Sequence, residues 1–156
     1  MQSHRSRNAL GFSLLELLIV IVLVGIVMAI SIRSVGETIR RDRVNKIAAM
    51  LSADLEQAFA IAARQRTPVR LLFDTTYARR TFSVADFSDT TFKYRSRTFK
   101  DGDLQLDYIR SSSLSLDVMP SGLSADTLSI RVGIISKNMP YDRTLRMTRA
   151  GMVRIK

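Results

Sequence analysis

The first long pattern along the chain is an uninterrupted apolar run. From Leu17 to Ile30 no side chain is polar, and residues 12–32 carry a single charge, that of Glu16. An apolar helix of about 20 residues is long enough to cross the hydrocarbon core of a bilayer. The run therefore predicts a membrane segment close to the N-terminus, with a carboxylate near one of its ends.

The residues after this run continue a helical pattern, but on one face only. Apolar positions recur at three- and four-residue steps, the period of an amphipathic helix. Thr67-Pro68 ends the pattern, because a residue that precedes proline is disfavoured in helical geometry. The spacing predicts one long helix over residues 12–66, apolar in its first half and amphipathic in its second. The predicted buried stripe consists of Ile39, Val44, Ile47, Ala48, Leu51, Leu55, Ala58, Phe59 and Ala62.

From Val69 onward the apolar period becomes two, which is typical of β-strands. The alternating runs predict about seven strands, with the last two joined through Ala150-Gly151 as a hairpin. Residues 85–103 are the least patterned and predict a variable loop or irregular strands. One long helix followed by strands is an α+β arrangement, with an antiparallel sheet packed on the second half of the helix. The alternating positions are Val69, Leu71 and Phe73; Phe82 and Val84; Leu104, Leu106 and Tyr108; Leu114, Leu116 and Val118; Leu128, Ile130, Val132 and Ile134; Leu145 and Met147; Val153 and Ile155.

Composition narrows the classes of function. The chain has 156 residues and a formal net charge of +10, which suits one compact domain plus an appendage and favours polyanions or anionic membrane surfaces as partners. It has no cysteine, its one histidine is His4 ahead of the apolar run, and no glycine-rich phosphate-binding motif occurs. A nucleophilic catalytic set is therefore missing, and we expect neither an enzyme nor a cofactor.

Basic residues before the apolar run raise the alternative of a cleaved secretory signal peptide. The run is longer than the usual apolar region of about 7–15 residues, and no small-x-small cleavage site follows it before Arg33. We therefore expect a retained anchor, with Arg5 and Arg7 in the cytoplasm and the C-terminal bulk outside. Glu16 either lies at the membrane edge and extends toward water, or pairs with a cation of a neighbouring subunit.

Aspartates at Asp101-Gly102-Asp103, with Asp107, raise the alternative of a calcium loop, because carboxylates on alternate residues can converge on a hard cation. The spacing of an EF-hand and its late glutamate are absent. Asp-Gly between two alternating runs is also a hairpin signal. We interpret this segment as a turn and predict no metal site.

The segment Gly11-Phe12-Ser13-Leu14-Leu15-Glu16-Leu17-Leu18 resembles the processing site of type IV pilins and type II secretion pseudopilins. The resemblance implies that prepilin peptidase cuts between Gly11 and Phe12, and that Phe12 is then N-methylated. It also implies that Glu16 meets the N-terminal amine of an adjacent subunit, so that a buried charge is paired on assembly.

This resemblance also implies a division of the chain and a set of partners. Residues 1–11 are a cleaved leader, residues 12–32 the transmembrane or filament-core half of the helix, residues 33–66 its amphipathic half, and residues 67–156 a periplasmic β-rich domain. The implied partners are prepilin peptidase, other pseudopilins or pilins, an inner-membrane assembly platform and exported protein cargo. No cofactor is implied.

The C-terminal half resembles the H-type minor pseudopilins, the GspH/FimT family. In that family a Pro-x-Gly turn precedes paired strands, and a Gly-x-Val-type strand closes the sheet. The residues that carry the resemblance are Met119-Pro120-Ser121-Gly122, the strand at 128–135, and the run from Arg146 to Arg154. The implied function is that of a minor pseudopilin, a structural subunit of the periplasmic pseudopilus of a type II secretion system.

Basic residues near the C-terminus support an alternative. If residues 152–156 form a strand, Arg154 and Lys156 share one face, which can contact phosphates with salt-dependent affinity. FimT-like minor type IV pilins are linked to DNA uptake through a basic C-terminal region with a Gly-Arg-x-Arg type motif. The corresponding run here is Gly151-Met152-Val153-Arg154, with Met152 in place of the first arginine. The candidate contacts are Arg146, Arg149, Arg154 and Lys156, and solvated surface charge is the competing interpretation.

Overall fold

The computed structural model describes residues 13–135 and 140–156, and the side chains of residues 30–34 lie outside that description. The chain divides into two compact units, residues 1–38 and residues 39–156. The described part of the first unit is helical apart from Ser13, and every strand lies in the second unit. The predicted leader, residues 1–11, lies outside the described residues.

Helix α1 runs from Leu14 to Gln65 and has 52 residues. It ends where the sequence predicts, because Arg66 adopts a left-handed backbone with a φ of 56° immediately before Thr67-Pro68. Within the second unit, the predicted stripe is buried at Val44, Ile47, Ala48, Leu51, Leu55, Ala58 and Ala62. Ile39 was predicted to belong to the stripe but is 53% exposed, and burial along the stripe begins at Val44. Phe59 is partly buried at the margin of the core.

The α+β class and the antiparallel strands are confirmed, but within the described residues the strands number eight and form two sheets where the sequence predicted one. In chain order they are β1 (Val69–Asp74), β2 (Thr81–Asp86), β3 (Lys93–Thr98), β4 (Tyr108–Ser111), β5 (Ser115–Val118), β6 (Leu128–Ile135), β7 (Pro140–Met147) and β8 (Val153–Ile155). The first sheet has the order β3-β2-β1-β5, and the second has the order β4-β6-β7-β8. The predicted hairpin at Ala150-Gly151 joins β7 to β8.

The segment between β3 and β4 differs most from the sequence prediction. Asp101-Gly102 does not close a hairpin, because β3 and β4 belong to different sheets. Residues Gly102–Leu104 form a 3-10 turn, and the strand expected from Leu104 begins only at Tyr108. Backbone hydrogen bonds link Phe99 to Arg80 and to Leu106, and the buried Arg80 guanidinium also donates to the carbonyl oxygen of Leu106. These contacts hold the crossover between the sheets.

One hydrophobic core joins the helical stripe to the inner faces of both sheets. Apolar side chains that alternate along the strands supply most of it, and the rings of Phe73 and Phe82 meet with centroids 5.0 Å apart. The core lies entirely within the second unit: its fully buried members run from Val44 to Met147.

A buried carboxylate connects the edge strand β3 to the helix. Asp54 on α1 is 1% exposed and forms ion pairs with Arg95, at 2.8 Å, and with Arg97. Arg97 is bidentate, and its second bond, from Nη2 to Oδ1, is 3.0 Å long. The Asp54 carboxylate holds the pKa of Arg97 above its ordinary value, mainly through the hydrogen bond. Together with hydrogen bonds from Arg95 to Gln57 and from Tyr94 to Gln65, these pairs attach the edge strand β3 to α1.

Candidate functional site

The processing residues precede the described part of the helix. Gly11 and Phe12 lie outside the described residues, so cleavage between them and methylation of Phe12 stay predictions. The described chain starts at Ser13, whose carbonyl oxygen accepts a hydrogen bond from the backbone N–H of Leu17. The described helix begins at Leu14, which would be the third residue of the processed chain.

The first half of α1 presents a continuous apolar surface to solvent. From Leu14 to Met28 the large apolar side chains are between 47% and 82% exposed. An exposed apolar surface of this extent is typical of a site that another protein or a membrane covers. Glu16 lies in the first turn of the helix and is also exposed. A carboxylate in the first turn interacts favourably with the helix dipole.

Among the residues whose side chains the structure describes, no helix is both long and apolar enough to cross a membrane. The membrane segment predicted over residues 12–32 includes residue 12 and the side chains of residues 30–32, which lie outside those described.

Three of the four C-terminal basic residues come together on the outer face of the second sheet. Arg146 and Arg154 are direct partners across β7 and β8, and Lys156 exchanges backbone hydrogen bonds of 2.9 Å with Thr144. Alternation places these residues opposite the buried Leu145 and Met147. Arg149 is not part of this group; it lies in the turn before Gly151 and pairs with Asp126 at 3.6 Å.

The same face carries two arginines that the sequence interpretation missed. Arg110 on β4 is the register partner of Arg131 on β6, and Arg131 is the partner of Thr144 on β7. Arg110 follows the buried Ile109, and Arg131 lies between the buried Ile130 and Val132. That alternation was visible in the sequence, but the order of the strands was not. We call Arg110, Arg131, Arg146, Arg154 and Lys156 the outer basic face.

The electrostatics of the outer basic face favour an anionic partner. Arg110 faces Arg131, and Arg146 faces Arg154, although like charges directly opposite each other destabilise a sheet. One acid on the face, Asp142, pairs with Arg131 at 2.7 Å. The arrangement costs stability and concentrates positive charge on one face of the second sheet.

A tyrosine lies among these cations. The guanidinium of Arg110 is 5.6 Å from the centroid of the Tyr108 ring, and that ring lies over Gly133, where a Cβ atom would come within 2.5 Å of it. Burial raises the pKa of Tyr108, and the nearby charge of Asp142 raises it further. The hydroxyl therefore stays neutral at physiological pH and can donate a hydrogen bond at the margin of the face.

Within the described residues, no three His, Cys, Asp or Glu side chains gather as metal ligands. Asp107, one of the residues weighed for calcium, instead accepts a hydrogen bond from the backbone N–H of Ile135. Asp101 precedes the 3-10 turn and makes no side-chain capping bond there.

Comparisons with known proteins agree with this organisation. The family described as "Prokaryotic N-terminal methylation motif" matches residues 6–32. Two crystal forms of the type IV minor pilin FimU of Pseudomonas aeruginosa have a similar structure. The first matches with a TM-score of 0.59 and 16% identity, over 74% of this chain and 90% of FimU. The second has a TM-score of 0.53 and 14% identity, over 72% and 91%. No curated protein matches the chain.

The chain therefore has a pilin-like α+β fold, with a long N-terminal helix packed on antiparallel strands. The methylation motif and this fold together support membership of the type IV pilin/pseudopilin superfamily. The chain has a fold similar to that of a type IV minor pilin and carries the N-terminal methylation motif, and that motif implies processing by prepilin peptidase and assembly with other pilins.

Proposed function

We propose that this protein is a minor pseudopilin, a structural subunit of the periplasmic pseudopilus of a type II secretion system, with no enzymatic activity. The observation that carries the proposal is the exposed apolar half of α1, which lies within the N-terminal methylation motif matched over residues 6–32. The precursor is held in the inner membrane by a single span, with its β-rich domain in the periplasm. Its C-terminal resemblance to H-type pseudopilins supports a minor subunit rather than a major one.

In this mechanism the protein acts as a building block that packs and pairs with neighbouring subunits. After prepilin peptidase cuts between Gly11 and Phe12, the apolar half of the helix packs into the filament core, where neighbouring helices cover its exposed side chains. Glu16 then pairs with the N-terminal amine of Phe12 in an adjacent subunit. Outside water, an unpaired carboxylate is expensive, so this pairing favours subunits in register. The β-rich domain is left to contact other subunits, the assembly platform or exported cargo.

Substitution of Glu16 tests the assembly step. Glu16→Ala should leave processing intact but reduce incorporation into filaments by more than about tenfold, because loss of one partner of a buried ion pair costs on the order of 3–5 kcal/mol. Cross-linking of sheared filaments measures incorporation. Glu37→Ala is the matched control, since Glu37 is also exposed on α1. Unchanged incorporation of the Glu16 variant would remove the pairing role.

Substitution of Gly11 tests processing itself. Gly11→Ala adds a Cβ at the residue that precedes the cut, and we expect the precursor to accumulate with its leader attached. The mature mass can be read by mass spectrometry, which also detects a methyl group on Phe12. A product of normal mature mass from this variant would contradict the prepilin assignment.

The outer basic face favours a second candidate, a minor type IV pilin that binds DNA for uptake. Its five cations span all four strands of the second sheet, and the tyrosine beside Arg110 adds a ring at its margin. Phosphate contacts of this kind give an affinity that falls as salt rises, with a slope of about 0.9 per contact for duplex DNA.

A mobility-shift titration with residues 39–156 tests this candidate. Arg154→Glu with Lys156→Glu should weaken binding and make its salt dependence shallower. Lys93→Glu with Lys100→Glu is the matched control, because both lysines are exposed and lie on or next to β3 in the other sheet. Salt-independent binding, or equal loss in both variants, would remove the DNA role. Deleting the gene separates the two candidates: the first predicts loss of protein export, the second loss of DNA uptake.

A further inference from the structure

Strand β8 lies at one edge of the second sheet, and part of its backbone is free to pair with another strand. Among the described strands, β7 is its one partner. In an antiparallel ladder, residues that exchange bonds with the neighbouring strand alternate with residues whose N–H and C=O point away from it. Lys156 exchanges two bonds of 2.9 Å with Thr144 on β7, so the backbone groups of Val153 and Ile155 point away from β7. We call Val153, Arg154, Ile155 and Lys156 the β8 edge.

The other edge strands of the two sheets are covered or protected. β4 is buried at Ile109, which is 2% exposed. Along β5, the carbonyl oxygen of Asp117 accepts a hydrogen bond of 2.9 Å from the N–H of Ala125. β3 directs Arg95 and Arg97 towards α1 and shifts its register against β2, and both features disfavour addition of a further strand. β8 itself has no inward charge, proline or register shift, so it is the edge best suited to accept a strand.

The hydrophobic core is not fully closed at the β8 edge. Val153 and Ile155 lie on the inner face, because their register partners are the buried Met147 and Leu145. Val153 is half-buried against the core, but Ile155 is 44% exposed. Side chains that are neighbours across two strands contact each other on the same face. An added strand with apolar residues on this face would therefore cover Ile155.

The outer face of the β8 edge favours acidic residues in such a strand. Arg154 and Lys156 are exposed, and within the described residues neither forms an ion pair with a carboxylate. Opposite charges on directly paired residues attract across strands, whereas like charges destabilise the pairing. A second copy of β8 fits poorly, because antiparallel pairing centred on the strand would place Arg154 opposite Arg154. Charged edges of this kind disfavour self-association.

We propose that the β8 edge binds an extended segment of another protein in which apolar and acidic residues alternate. The segment adds one strand to the four of the second sheet, with backbone hydrogen bonds to Val153 and Ile155. Its apolar side chains cover Ile155, and its carboxylates face Arg154 and Lys156. The contact uses none of the residues through which the proposed function packs α1, so it can fail without that function failing.

A synthetic peptide of about seven residues that alternates valine and glutamate is the probe for this site. The fluorescence anisotropy of a labelled peptide measures its binding to the full chain in phosphatidylcholine nanodiscs, and we expect saturable binding. A peptide of the same composition, with its glutamates grouped at one end, should bind at least about tenfold more weakly. As a strand it cannot place its apolar and acidic residues on opposite faces.

Proline at position 155 tests the backbone contact. Ile155→Pro removes an N–H that points away from β7, so thermal unfolding should change little, whereas the peptide affinity should fall more than about tenfold. Ile155→Ala is the matched control, because it shortens the same side chain but keeps the N–H, and it should lose less affinity. Hydrogen exchange followed by NMR gives a second readout. Peptide binding should protect the amides of Val153 and Ile155 but not that of Lys156, which is already bonded to Thr144.

Neutral substitutions test the preference for acidic residues. Arg154→Gln with Lys156→Gln should lower the peptide affinity about fivefold, the effect of two cross-strand charge pairs. Arg110→Gln with Arg131→Gln removes the same charge from β4 and β6, and should change the affinity less than about twofold. β6 and β4 lie two and three strands away from β8, at about 4.8 Å per strand, so salt screens these charges from the peptide.

Several outcomes would overturn the strand pairing. Unchanged peptide affinity in the Ile155→Pro variant, or unprotected amides at Val153 and Ile155, would show that the backbone is not the site of contact. Equal loss in both pairs of charge variants would show that net charge alone holds the peptide. Protection of the two amides that rises with protein concentration, in the absence of peptide, would assign the edge to a second copy. A short DNA duplex that displaces the peptide and binds the Ile155→Pro variant unchanged would assign Arg154 and Lys156 to nucleic acid.

Discussion

At the scale of single residues, Gly151 meets two separate requirements. Its φ of 76° lies in the left-handed region, and a Cβ atom there would be 3.0 Å from the Phe59 ring on α1. Gly151→Ala should therefore destabilise the protein by about 2–3 kcal/mol, from backbone strain plus overpacking. Gly102→Ala isolates the strain, because Gly102 has a φ of 71° and open space around it, and should cost about 1 kcal/mol. Equal costs in denaturant unfolding would show that Phe59 does not restrict the turn.

The carboxylate of Asp86 should make the stability of the protein depend on pH. The backbone N–H of Ser88 at 2.8 Å, then the hydroxyl of Tyr94 at 2.9 Å, lower the pKa of Asp86. A lowered pKa stabilises the folded state fully above the ordinary carboxyl pKa of about 3.9, and that contribution is lost as the pH falls through the lowered value. Asp86→Asn should flatten the loss of stability in acid, measured as thermal unfolding from neutral pH to below about 3. An unchanged acid profile would contradict this.

Sequence reasoning succeeds for residues whose role depends on local spacing and fails for those whose role depends on a distant partner. The buried stripe from Val44 to Ala62 was predictable because the helical period is set by neighbours in the chain. Asp54 lies outside the predicted apolar stripe, yet it is buried against Arg95 and Arg97, and these partners are more than 40 residues away in the sequence. Arg110 and Arg131 were missed for the same reason.

At the scale of elements, the Asp54 pairs attach an edge strand to the helix. Asp54→Ala should destabilise the protein by about 3 kcal/mol, at the lower limit for a broken buried pair, since Arg95 and Arg97 keep partial access to water. Hydrogen exchange should increase first in β3. Arg149→Ala is the control: its pair with Asp126 is exposed and 3.6 Å long, so we expect a change within about 0.5 kcal/mol. Uniform exchange across the first sheet would mean that the pairs do not hold β3 specifically.

The strands themselves were largely visible in the alternation of apolar residues, but their assignment to sheets was not. β1, β2 and β5 begin and end close to the runs that predicted them, since burial on one face imposes period two. β3 was not predicted as a regular strand, because its sequence from Lys93 to Thr98 is polar. Its side chains are exposed or half-exposed, and its register shifts against β2. Asp101-Gly102 is a dipeptide typical of hairpin turns, yet the chain there crosses between the two sheets. Phe99 and Leu106 on either side of it are buried in the core and joined by a backbone hydrogen bond.

At the scale of the whole molecule, the two units differ in whether their apolar side chains are exposed or buried. The first unit exposes apolar surface that needs a partner, whereas the second contains the complete core. Under the proposed function, assembly contacts and domain stability are encoded in separate stretches of one helix. A substitution in the exposed apolar half should change incorporation without changing the unfolding of the domain.

The fragment 39–156 should therefore fold alone. It retains every fully buried core side chain, so we expect it to be soluble and to unfold in one cooperative transition. A fragment that starts at residue 52 is the control, because it lacks Val44, Ile47, Ala48 and Leu51, all fully buried. Burial of each larger apolar side chain contributes about 1.5–3 kcal/mol, so this loss approaches a total stability of about 5–15 kcal/mol, and the shorter fragment should be unfolded. Circular dichroism measures both. Cooperative unfolding of the shorter fragment would mean that the sheets are stable without the start of the helical stripe. An unfolded 39–156 fragment would mean that the apolar half of the helix stabilises the domain as well as mediating assembly.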